Sequence, residues 1–488
     1  MEFSKNFVCE CLEYSTYEKS VAAPLFRKSF VLKSKPKAAR ILICGLGFYD
    51  LFINGKTITK GKLAPYISNS DHICYYDSYD ICENLNIGEN VIGVMLGDGF
   101  QVGKTSVWDI KDNITNCPPL LALTAEIIDD NEKVLFDAGD FVCKKGPIVF
   151  NDLRSGVFYD ARLEESGWNR SGFVEKGWHK PISGIYKPRG YAKLCYAEPI
   201  KIMREIKPKS IRRGELAPYS LHEIEDFAKS ITPFESAVAP TGGYIYDFGE
   251  NNTGIFRLKI KGKRGQKVDI QCGEQLVDGK LSYANIWFYP DGFSQRDIYY
   301  LKGDDEEEFE PMFTYHGFRY IYVSGITEEQ ATGDLLTFLV MSSDLEERGS
   351  FECSDKTANL IYEMGRRSDI SNFIYFPNDC PHREKNGWTG DASVSAEHMI
   401  MTISPEKSWR EWMNNIRMAQ RENGEIPGIV PTDSWGYDWG NGPAWDSVLF
   451  NLPYFVYKYR GETEMIKENA TAMFRYLEYI SRRRDKKA

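Results

Sequence analysis

The segment from Phe376 to Asp391 holds the densest group of reactive side chains in the chain. Its two prolines and two glycines exclude a continuous helix, so we expect a loop that enters a helix near Ala392. Cleavage of a glycosidic bond needs one carboxylic acid to protonate the leaving oxygen and one carboxylate to act as base or nucleophile. The carboxyl groups, guanidinium and indole of this loop suit that chemistry, and they belong to Asp379, Arg383, Glu384, Trp388 and Asp391.

The same side chains also have a purely structural explanation. Asp379 would then close a turn, Trp388 would lie in the core, and Arg383 would pair with Glu384 or Asp391. Acidic residues are common in turns, because their side chains bond to nearby backbone N–H groups. Spacing alone favours neither explanation.

A second segment, Asp433 to Asp446, is rich in tryptophan and aspartate. A pyranose has an apolar face and a polar edge, so tryptophan beside aspartate is typical of a sugar subsite. A core position is an equally good explanation for any single tryptophan here. The candidates for an aromatic wall are Trp435, Trp439 and Trp445.

Strand patterns must provide the scaffold for these loops. The Asn54-Gly55 pair between β-prone runs predicts a tight hairpin, because type I′ turns need positive φ at both central residues. Further on, Ile255–Ile260 and Lys267–Cys272 alternate with period two, as half-buried strands do. These patterns predict two antiparallel β-sandwich domains, at residues 1–195 and 196–344.

Helical patterns begin after Ser350. Ser354-Asp355 predicts a helix cap, and Ser404-Pro405-Glu406 predicts the start of another helix. That second helix would bury Trp409, Trp412, Met413 and Ile416, which share one face. A final amphipathic stripe is formed by Ile466, Ala470, Met473, Leu477 and Ile480. We assign 345–488 to a third, helical domain.

Composition excludes several classes of protein. The chain has 488 residues and a net charge of −10, which argues against a broad nucleic-acid-binding surface. No apolar stretch approaches the roughly 20 residues of a membrane span, and the N-terminus reaches Glu10 before any apolar run long enough for the core of a signal peptide. Its eleven cysteines, an odd number without a Cys-x-x-Cys pair, do not suggest a disulfide framework or zinc ribbon. We therefore expect a cytoplasmic protein that uses neither nucleic acid nor membrane as a partner.

The loop at 379–391 resembles a known family signature. Asp379-Cys380-Pro381-His382-Arg383-Glu384, followed by Gly387-Trp388-Thr389-Gly390-Asp391, is similar to the motif of bacterial α-L-rhamnosidases of glycoside hydrolase family 78. The spacing between Arg383 and Glu384 is one residue shorter than in the commonest form of that motif. Similarity to the family's β domains extends over most of the chain, at 52–55, 159–168, 246–254 and 313–320.

The resemblance implies an inverting hydrolase that removes terminal α-L-rhamnose, with its site in an (α/α)6 barrel. Glu384 would be the general acid. The remaining candidate residues would bind rhamnose: Asp379, Arg383, Trp388, Asp391, Trp435, Trp439 and Trp445. No cofactor is implied, although calcium is possible, with Asp152 or Asp160 as an oxygen ligand. We expect His316 and His382 to be structural rather than metal ligands, and we assign no metal site.

Length sets a limit on this mechanism. A barrel of about twelve helices needs roughly 240 residues, whereas 345–488 holds about half that number of helices. We therefore expect a partial barrel that lacks the second carboxylate of an inverting site, with Asp433, Asp438 and Asp446 as the only nearby substitutes. An exposed apolar seam would favour self-association or binding of a C-terminal barrel partner. The alternative function is a non-catalytic rhamnoside-binding remnant.

Overall fold

A computed structural model describes residues 1–100, 117–129, 133–218, 242–286, 289, 292–303, 305–432, 435–439 and 441–483. In the first half of the chain the strands are β1 Val8–Cys9, β2 Pro24–Leu32, β3 Ala38–Leu46, β4 Tyr49–Ile53, β5 Lys56–Thr57, β6 Ile73–Asp80, β7 Gly88–Leu96, β8 Leu120–Ile128, β9 Lys133–Asp137, β10 Val142–Lys145, β11 Ile148–Asp152, β12 Gly156–Asp160, β13 Ile182–Ser183 and β14 Tyr191–Leu194. Those that follow are β15 Ile200–Ile206, β16 Ser210–Gly214, β17 Gly243–Ile260, β18 Lys267–Gly273, β19 Gln275–Val277, β20 Lys280–Ser282, β21 Arg296–Tyr300, β22 Glu307–Phe309, β23 His316–Ser324, β24 Leu336–Ser343, β25 Phe373–Ile374 and β26 Phe376–Pro377.

The first β-sandwich packs two sheets face to face. One sheet runs β13-β1-β8-β3-β6-β14, with β9 added beside β8, and the other runs β10-β2-β7-β4-β5. Alternating apolar residues from both sheets, such as Ile41, Leu51 and Val94, meet in one buried cluster. The Asn54-Gly55 turn joins β4 to β5 with φ of 51° and 83°, which confirms the predicted tight hairpin.

The second β region is built around the long strand β17. Its sheet runs β11-β12-β21-β18-β23-β17-β24-β15, and β16 and β22 also pair with β17. β11 and β12 therefore join the second sheet, although they lie inside the predicted 1–195 domain. The boundaries at 195 and 344 stay predictions.

Strand directions differ from the prediction in two places. β12 pairs with β21 in parallel, and so does β14 with β6. The sandwiches are therefore antiparallel as predicted except at these two pairs. Both exceptions join strands that are distant in sequence, where no hairpin turn imposes an antiparallel arrangement.

The C-terminal region is helical, as predicted. Its helices are α1 Lys356–Ser371, α2 Thr389–Thr402, α3 Glu406–Ala419, α4 Pro443–Asp446, α5 Val448–Arg460 and α6 Glu464–Arg483. Asp355 caps α1 by accepting bonds from the N–H groups of Thr357 and Ala358. α3 follows Pro405 and buries Trp409, Trp412, Met413 and Ile416, as expected.

The buried face of α6 is offset from the predicted stripe. Leu477 of that stripe is 49% exposed, whereas Tyr476 and Tyr479 are buried. Their hydroxyls donate to Asp446 Oδ2 at 2.7 Å and Glu425 Oε1 at 3.0 Å. Tyrosine can be buried here because each polar tip finds an acceptor.

Most of the exposed large apolar side chains of the helical region lie on four helices. They lie on α1, α2, α5 and α6, and they include Leu360, Ile361, Met364, Val394, Tyr454, Tyr457, Phe474 and Leu477. Exposed apolar area of this kind usually marks an interaction surface. No helix among the described residues combines the length and apolarity needed to cross a bilayer.

The three regions share one core. A continuous cluster of buried residues includes Tyr75 of the first sandwich, Phe318 of the second sheet and Trp412 of α3. Tyr75 donates its hydroxyl proton to Glu411 Oε2 at 2.9 Å, and Tyr375 donates to the carbonyl of Leu63 at 3.1 Å. The helical region is therefore packed directly on the β regions rather than tethered to them.

Candidate active site

The reactive loop lies between β26 and α2 and is closed at its base. The Asp379 N–H donates to the carbonyl of Asn386 at 3.0 Å, and the Asn386 N–H donates to Asp379 Oδ1 at 2.9 Å. A β-carbon on Gly387 would overlap the carbonyl oxygen of Val430, so glycine lets the loop pass close to that strand-like segment. The expected loop and the helix after it are both present, with α2 starting at Thr389.

Glu384 is placed under the indole of Trp388. The Trp388 Nε1–H donates to Glu384 Oε2 at 2.7 Å, and the glutamate is only 9% exposed. Burial raises the pKa of the Glu384 carboxyl above its ordinary value, although the Trp388 N–H and the Arg383 charge oppose the rise. A buried carboxyl that stays protonated at higher pH is what a general acid requires.

Three carboxyl groups of the loop influence one another. Burial, followed by the nearby Glu384 charge, raises the pKa of Asp379 to about 7. Burial also raises the pKa of Asp391, in the first turn of α2. Asp391 in turn adds to the upward shift of the pKa of both Asp379 and Glu384. The loop thus brings three carboxyl groups together in a partly dehydrated site. Such a site favours binding of a proton by one of these carboxyl groups.

Arg383 and Asp379 also show features of the structural explanation. The Arg383 Nε lies 3.8 Å from Glu384 Oε1, so the guanidinium faces the candidate acid. Asp379 closes the loop and accepts the Cys380 thiol at 2.8 Å. Neither contact prevents a catalytic role, since the net effect on the Glu384 pKa is still upward.

The tryptophans form a connected aromatic wall. The ring centres of Trp388 and Trp435 lie 5.9 Å apart, edge to face, and those of Trp435 and Trp439 lie 6.1 Å apart, stacked. Trp439 is 61% exposed and Trp445 is 39% exposed, so neither is a core residue. A β-carbon on Gly390 would overlap the Trp445 indole, which places that ring against the start of α2.

The aspartates weighed as a second carboxylate differ in environment. Asp433 lies outside the described residues, and Asp438 is exposed. Asp446 is 1% exposed and accepts the Tyr476 hydroxyl at 2.7 Å, and burial raises its pKa to about 6. The Tyr476 contact gives Asp446 a structural task between α4 and α6.

The β regions contribute residues that the sequence did not reveal. Arg154, between β11 and β12, donates to the carbonyl of Glu384 at 2.7 Å. The Tyr289 hydroxyl donates to the carbonyl of Arg383. Lys385 belongs to the loop itself and is almost fully buried, with its Nζ bonded to the carbonyl of Leu153. Arg154 lies 230 positions before Glu384, and no local pattern in the sequence links residues so far apart.

The carboxylates considered for calcium are engaged elsewhere. Both oxygens of Asp160 bind the Arg162 guanidinium at 2.7 Å, so this residue does not fit a calcium ligand. Asp152 Oδ1 accepts the N–H groups of Arg154 and Ser155 and thereby closes a turn. Calcium at Asp152 stays a prediction.

One buried cluster has the residue types of a metal site. Potential ligand atoms of Cys272, Asp297 and His316 lie within 4.8 Å of one another in the core of the second sheet. His316 Nε2 lies 2.8 Å from Asp297 Oδ2, and burial lowers the His316 pKa. A neutral histidine hydrogen-bonded to aspartate accounts for this pair, in line with the structural role expected for His316. His382 Nδ1 lies 3.6 Å from Glu274 Oε2, beside the candidate site.

The raised pKa of Asp379 predicts that the free energy of unfolding depends on pH. A carboxyl whose pKa is higher in the folded state stabilises folding below its unfolded pKa, and this contribution is lost as the pH rises through the folded value. For Asp379 the loss should occur between about pH 4 and the folded pKa of about 7. We expect Asp379→Asn to be more stable than wild type at pH 8, by about 1–2 kcal/mol, and to lose that advantage at pH 4.5.

Chemical denaturation at both pH values measures this difference. Asp438→Asn is the matched control, because it makes the same replacement at an exposed aspartate. An equal effect of Asp379→Asn at pH 4.5 and pH 8 would show that Asp379 does not titrate as described.

Three segments of the chain match domains of one protein family. Residues 34–204 match the α-L-rhamnosidase N-terminal domain, and residues 238–342 match the bacterial α-L-rhamnosidase concanavalin-like domain. Residues 346–488 match the bacterial α-L-rhamnosidase 6 hairpin glycosidase domain. The three matches follow one another along the chain and include the candidate site.

Curated relatives carry the same name. A protein called alpha-L-rhamnosidase from Formosa agariphila is 30% identical over 92% of this chain, which corresponds to 46% of that protein. Another from Streptomyces avermitilis is 27% identical over 95% of this chain and 42% of that protein. The chain thus spans under half the length of these relatives.

Solved structures are similar to the whole described fold. An α-L-rhamnosidase from Dictyoglomus thermophilum has a TM-score of 0.83 and 29% identity, covering 98% of this chain and 51% of that one. The Streptomyces avermitilis enzyme complexed with L-rhamnose has a TM-score of 0.82 and 26% identity, covering 96% and 42%. The family domains, the named relatives and the shared architecture lead to one conclusion: the chain belongs to the bacterial α-L-rhamnosidase family.

Proposed function

We propose that this chain contributes the general acid of an α-L-rhamnosidase active site, and that Glu384 is this acid. The observation that carries the proposal is the environment of Glu384: a buried carboxyl, bonded by the Trp388 indole and adjoining two further carboxyl groups whose pKa values are also raised. Such a group can hold a proton near neutral pH and donate it to a glycosidic oxygen.

The neighbouring side chains suit recognition of rhamnose. Asp379, Arg383 and Asp391 supply charged hydrogen-bonding groups for ring hydroxyls, and Trp388 offers an aromatic edge. Trp435, Trp439 and Trp445 would cover the apolar face of the sugar. Support for this assignment comes from the wall of ring contacts beside Glu384 and from the relative whose structure was solved with L-rhamnose.

The reaction would proceed with inversion, and its second carboxylate would come from outside residues 1–488. An inverting site places its carboxyl groups about 6.5–9.5 Å apart so that water fits between them. Asp438 is exposed and Asp446 is bound to Tyr476, so neither is suited to activate that water. The helices α1 to α6 would form the first part of an (α/α)6 barrel.

Binding of L-rhamnose to the purified chain tests the sugar site. We expect L-rhamnose to raise the melting temperature of 1–488, and we expect a much smaller rise for Asp391→Asn. D-glucose at the same concentration is the control ligand, because nonspecific sugar effects on stability would be common to both. Equal shifts for the two sugars would contradict a rhamnose site.

A non-catalytic rhamnoside-binding role is the second candidate. The observation that favours it is the length of the match, since the chain covers 46% and 42% of two named relatives. In this case rhamnose binds without turnover in any assembly. Restored hydrolysis after addition of a C-terminal helical segment would exclude it.

The exposed apolar side chains of the helices should also drive self-association. We expect 1–488 to form dimers or larger species at tens of micromolar, because residues such as Met364 and Phe474 are 66% and 68% exposed. Sedimentation velocity should show the double variant Met364→Glu/Phe474→Glu shifted toward monomer. Val31→Glu is the matched control, since Val31 is 69% exposed but lies in the first sandwich. A wild-type chain that stays monomeric would contradict this prediction.

Cellular location follows from composition and is proposed on that basis alone. An acidic chain with scattered cysteines is suited to the cytoplasm. Fractionation of cells expressing the native gene would place it there or outside.

A further inference from the structure

A guanidinium from the β regions hydrogen-bonds to the loop around Glu384. Arg154 is 3% exposed and lies in the turn between β11 and β12. Its Nε donates to the carbonyl of Glu384 at 2.7 Å, and its Nη2 donates to Asn386 Oδ1 at 2.9 Å. One planar guanidinium therefore binds the residues on both sides of Lys385. Two directed hydrogen bonds from one rigid group fix the position of this backbone, which a nonspecific charge interaction would not do.

Lys385 makes the reciprocal contact. Its Nζ donates to the carbonyl of Leu153 at 2.7 Å and also to the carbonyl of Tyr315, and the side chain is 1% exposed. The Lys385 backbone has a φ of 55°, in the left-handed region that ordinary residues avoid. Such a conformation persists only where the surroundings hold it, and these are the contacts that can do so.

Together, the hydrogen bonds of Arg154 and Lys385 hold the loop against the turn between β11 and β12. Arg154 reaches from the turn to the loop backbone, and Lys385 reaches from the loop to the turn backbone. Asn386, which Arg154 holds, in turn bonds to Asp379 at the other end of the loop. The path from the β scaffold to the carboxyls of Asp379 and Glu384 is therefore continuous.

Stability alone does not account for this arrangement. A buried guanidinium is costly to dehydrate, and burial lowers the pKa of the Lys385 amine to about 7. Apolar residues of similar size often stabilise a core as well or better. What Arg154 and Lys385 add is a defined position for the loop backbone, because each donor meets a named carbonyl or amide oxygen.

We propose that Arg154 and Lys385 are positioning residues that fix the Glu384 backbone so that its carboxyl meets the Trp388 indole. They would act through their hydrogen bonds to the protein rather than on a substrate, and the proposal rests on the role proposed for Glu384. It assigns to the β regions a direct part in shaping the candidate active site.

Fluorine NMR of the full chain labelled with 5-fluorotryptophan tests this proposal without turnover or ligand. The chain has ten tryptophans, and the Trp388 signal is identified by its loss in Trp388→Phe. Because the Trp388 N–H binds Glu384, this signal should follow the titration of Glu384 and cease to do so in Glu384→Gln.

The decisive variants are Arg154→Lys and Lys385→Met. Arg154→Lys keeps the charge but cannot span both acceptors, so we expect a displaced or broadened Trp388 signal and a titration midpoint moved by about half a pH unit or more. Lys385→Met should likewise displace the signal. Arg162→Met is the matched control, because Arg162 binds Asp160 at the far end of the same hairpin, and it should resemble wild type.

Wild-type position, width and midpoint of the Trp388 signal in Arg154→Lys would overturn the proposal. A cooperative melt shows whether Lys385→Met folds. If this variant does not fold, the result for Arg154→Lys alone tests the proposal. Absence of L-rhamnose binding would contradict the proposed function but would leave these signals unaffected, so the two failures are distinguishable.

Discussion

Replacing Trp388 with alanine is expected to weaken L-rhamnose binding about tenfold or more, which corresponds to at least roughly 1.4 kcal/mol. The change removes the aromatic edge that meets Trp435 at 5.9 Å and the N–H that holds Glu384 Oε2 at 2.7 Å. Isothermal titration calorimetry at pH 7 would measure the loss. We expect this to be the largest effect of any single substitution in the aromatic wall.

Trp388→Phe separates the two contributions of this side chain. Phenylalanine keeps an aromatic face but has no N–H, so binding should be partly retained. The Glu384 pKa should rise further, because the Trp388 N–H normally opposes the effect of burial. Trp178→Ala, in the first sandwich, is the control for loss of a tryptophan elsewhere. Wild-type affinity in Trp388→Ala would remove Trp388 from the sugar site.

Replacing Trp412 with alanine is expected to lower the free energy of unfolding by about 3–5 kcal/mol. Trp412 is fully buried, and its Nε1–H donates to the carbonyl of Val430 at 2.9 Å. Its ring stacks on Phe376 with centres 6.0 Å apart and so lies beneath the reactive loop. Denaturant unfolding followed by fluorescence or circular dichroism would measure the loss.

A second tryptophan on the same helix provides the matched control. Trp409 is also fully buried, so Trp409→Ala should lose similar stability. A β-carbon on Gly387 would lie 3.1 Å from the Trp412 Nε1, which places Trp412 beside this end of the loop. We therefore expect rhamnose binding at low temperature to fall more in Trp412→Ala than in Trp409→Ala. Equal binding in the two variants would show that Trp412 supports the fold without shaping the site.

Features set by short stretches of sequence were predictable. The Asn54-Gly55 hairpin, the Asp355 cap and the buried tryptophans of α3 each depend on residues within a few positions of one another. The loop from Asp379 to Asp391 is also local, and its closure brings Glu384 and Trp388 together. Their spacing of four residues was visible in the sequence, although the hydrogen bond between them was not.

Features set by distant contacts were not predictable. β11 and β12 pair in the second sheet because β12 finds β21, more than a hundred residues later. The α6 stripe is offset because Tyr476 and Tyr479 find acceptors on other elements. Arg154 supports Glu384 across 230 positions, and such a contact leaves no periodic pattern. In each case the partner, rather than local propensity, decides the outcome.

Release of p-nitrophenol from p-nitrophenyl α-L-rhamnopyranoside by purified 1–488 tests the central claim most directly. The assay pairs wild type with Glu384→Gln and accompanies both with the thermal shift by L-rhamnose. We predict that wild type binds L-rhamnose yet neither protein turns over the substrate, because the proposed mechanism takes its second carboxylate from outside 1–488. Turnover by wild type that is lost in Glu384→Gln would contradict this claim, since the base would then lie within the chain or its homo-oligomer. Equal turnover by both proteins would contradict the assignment of Glu384 as the acid.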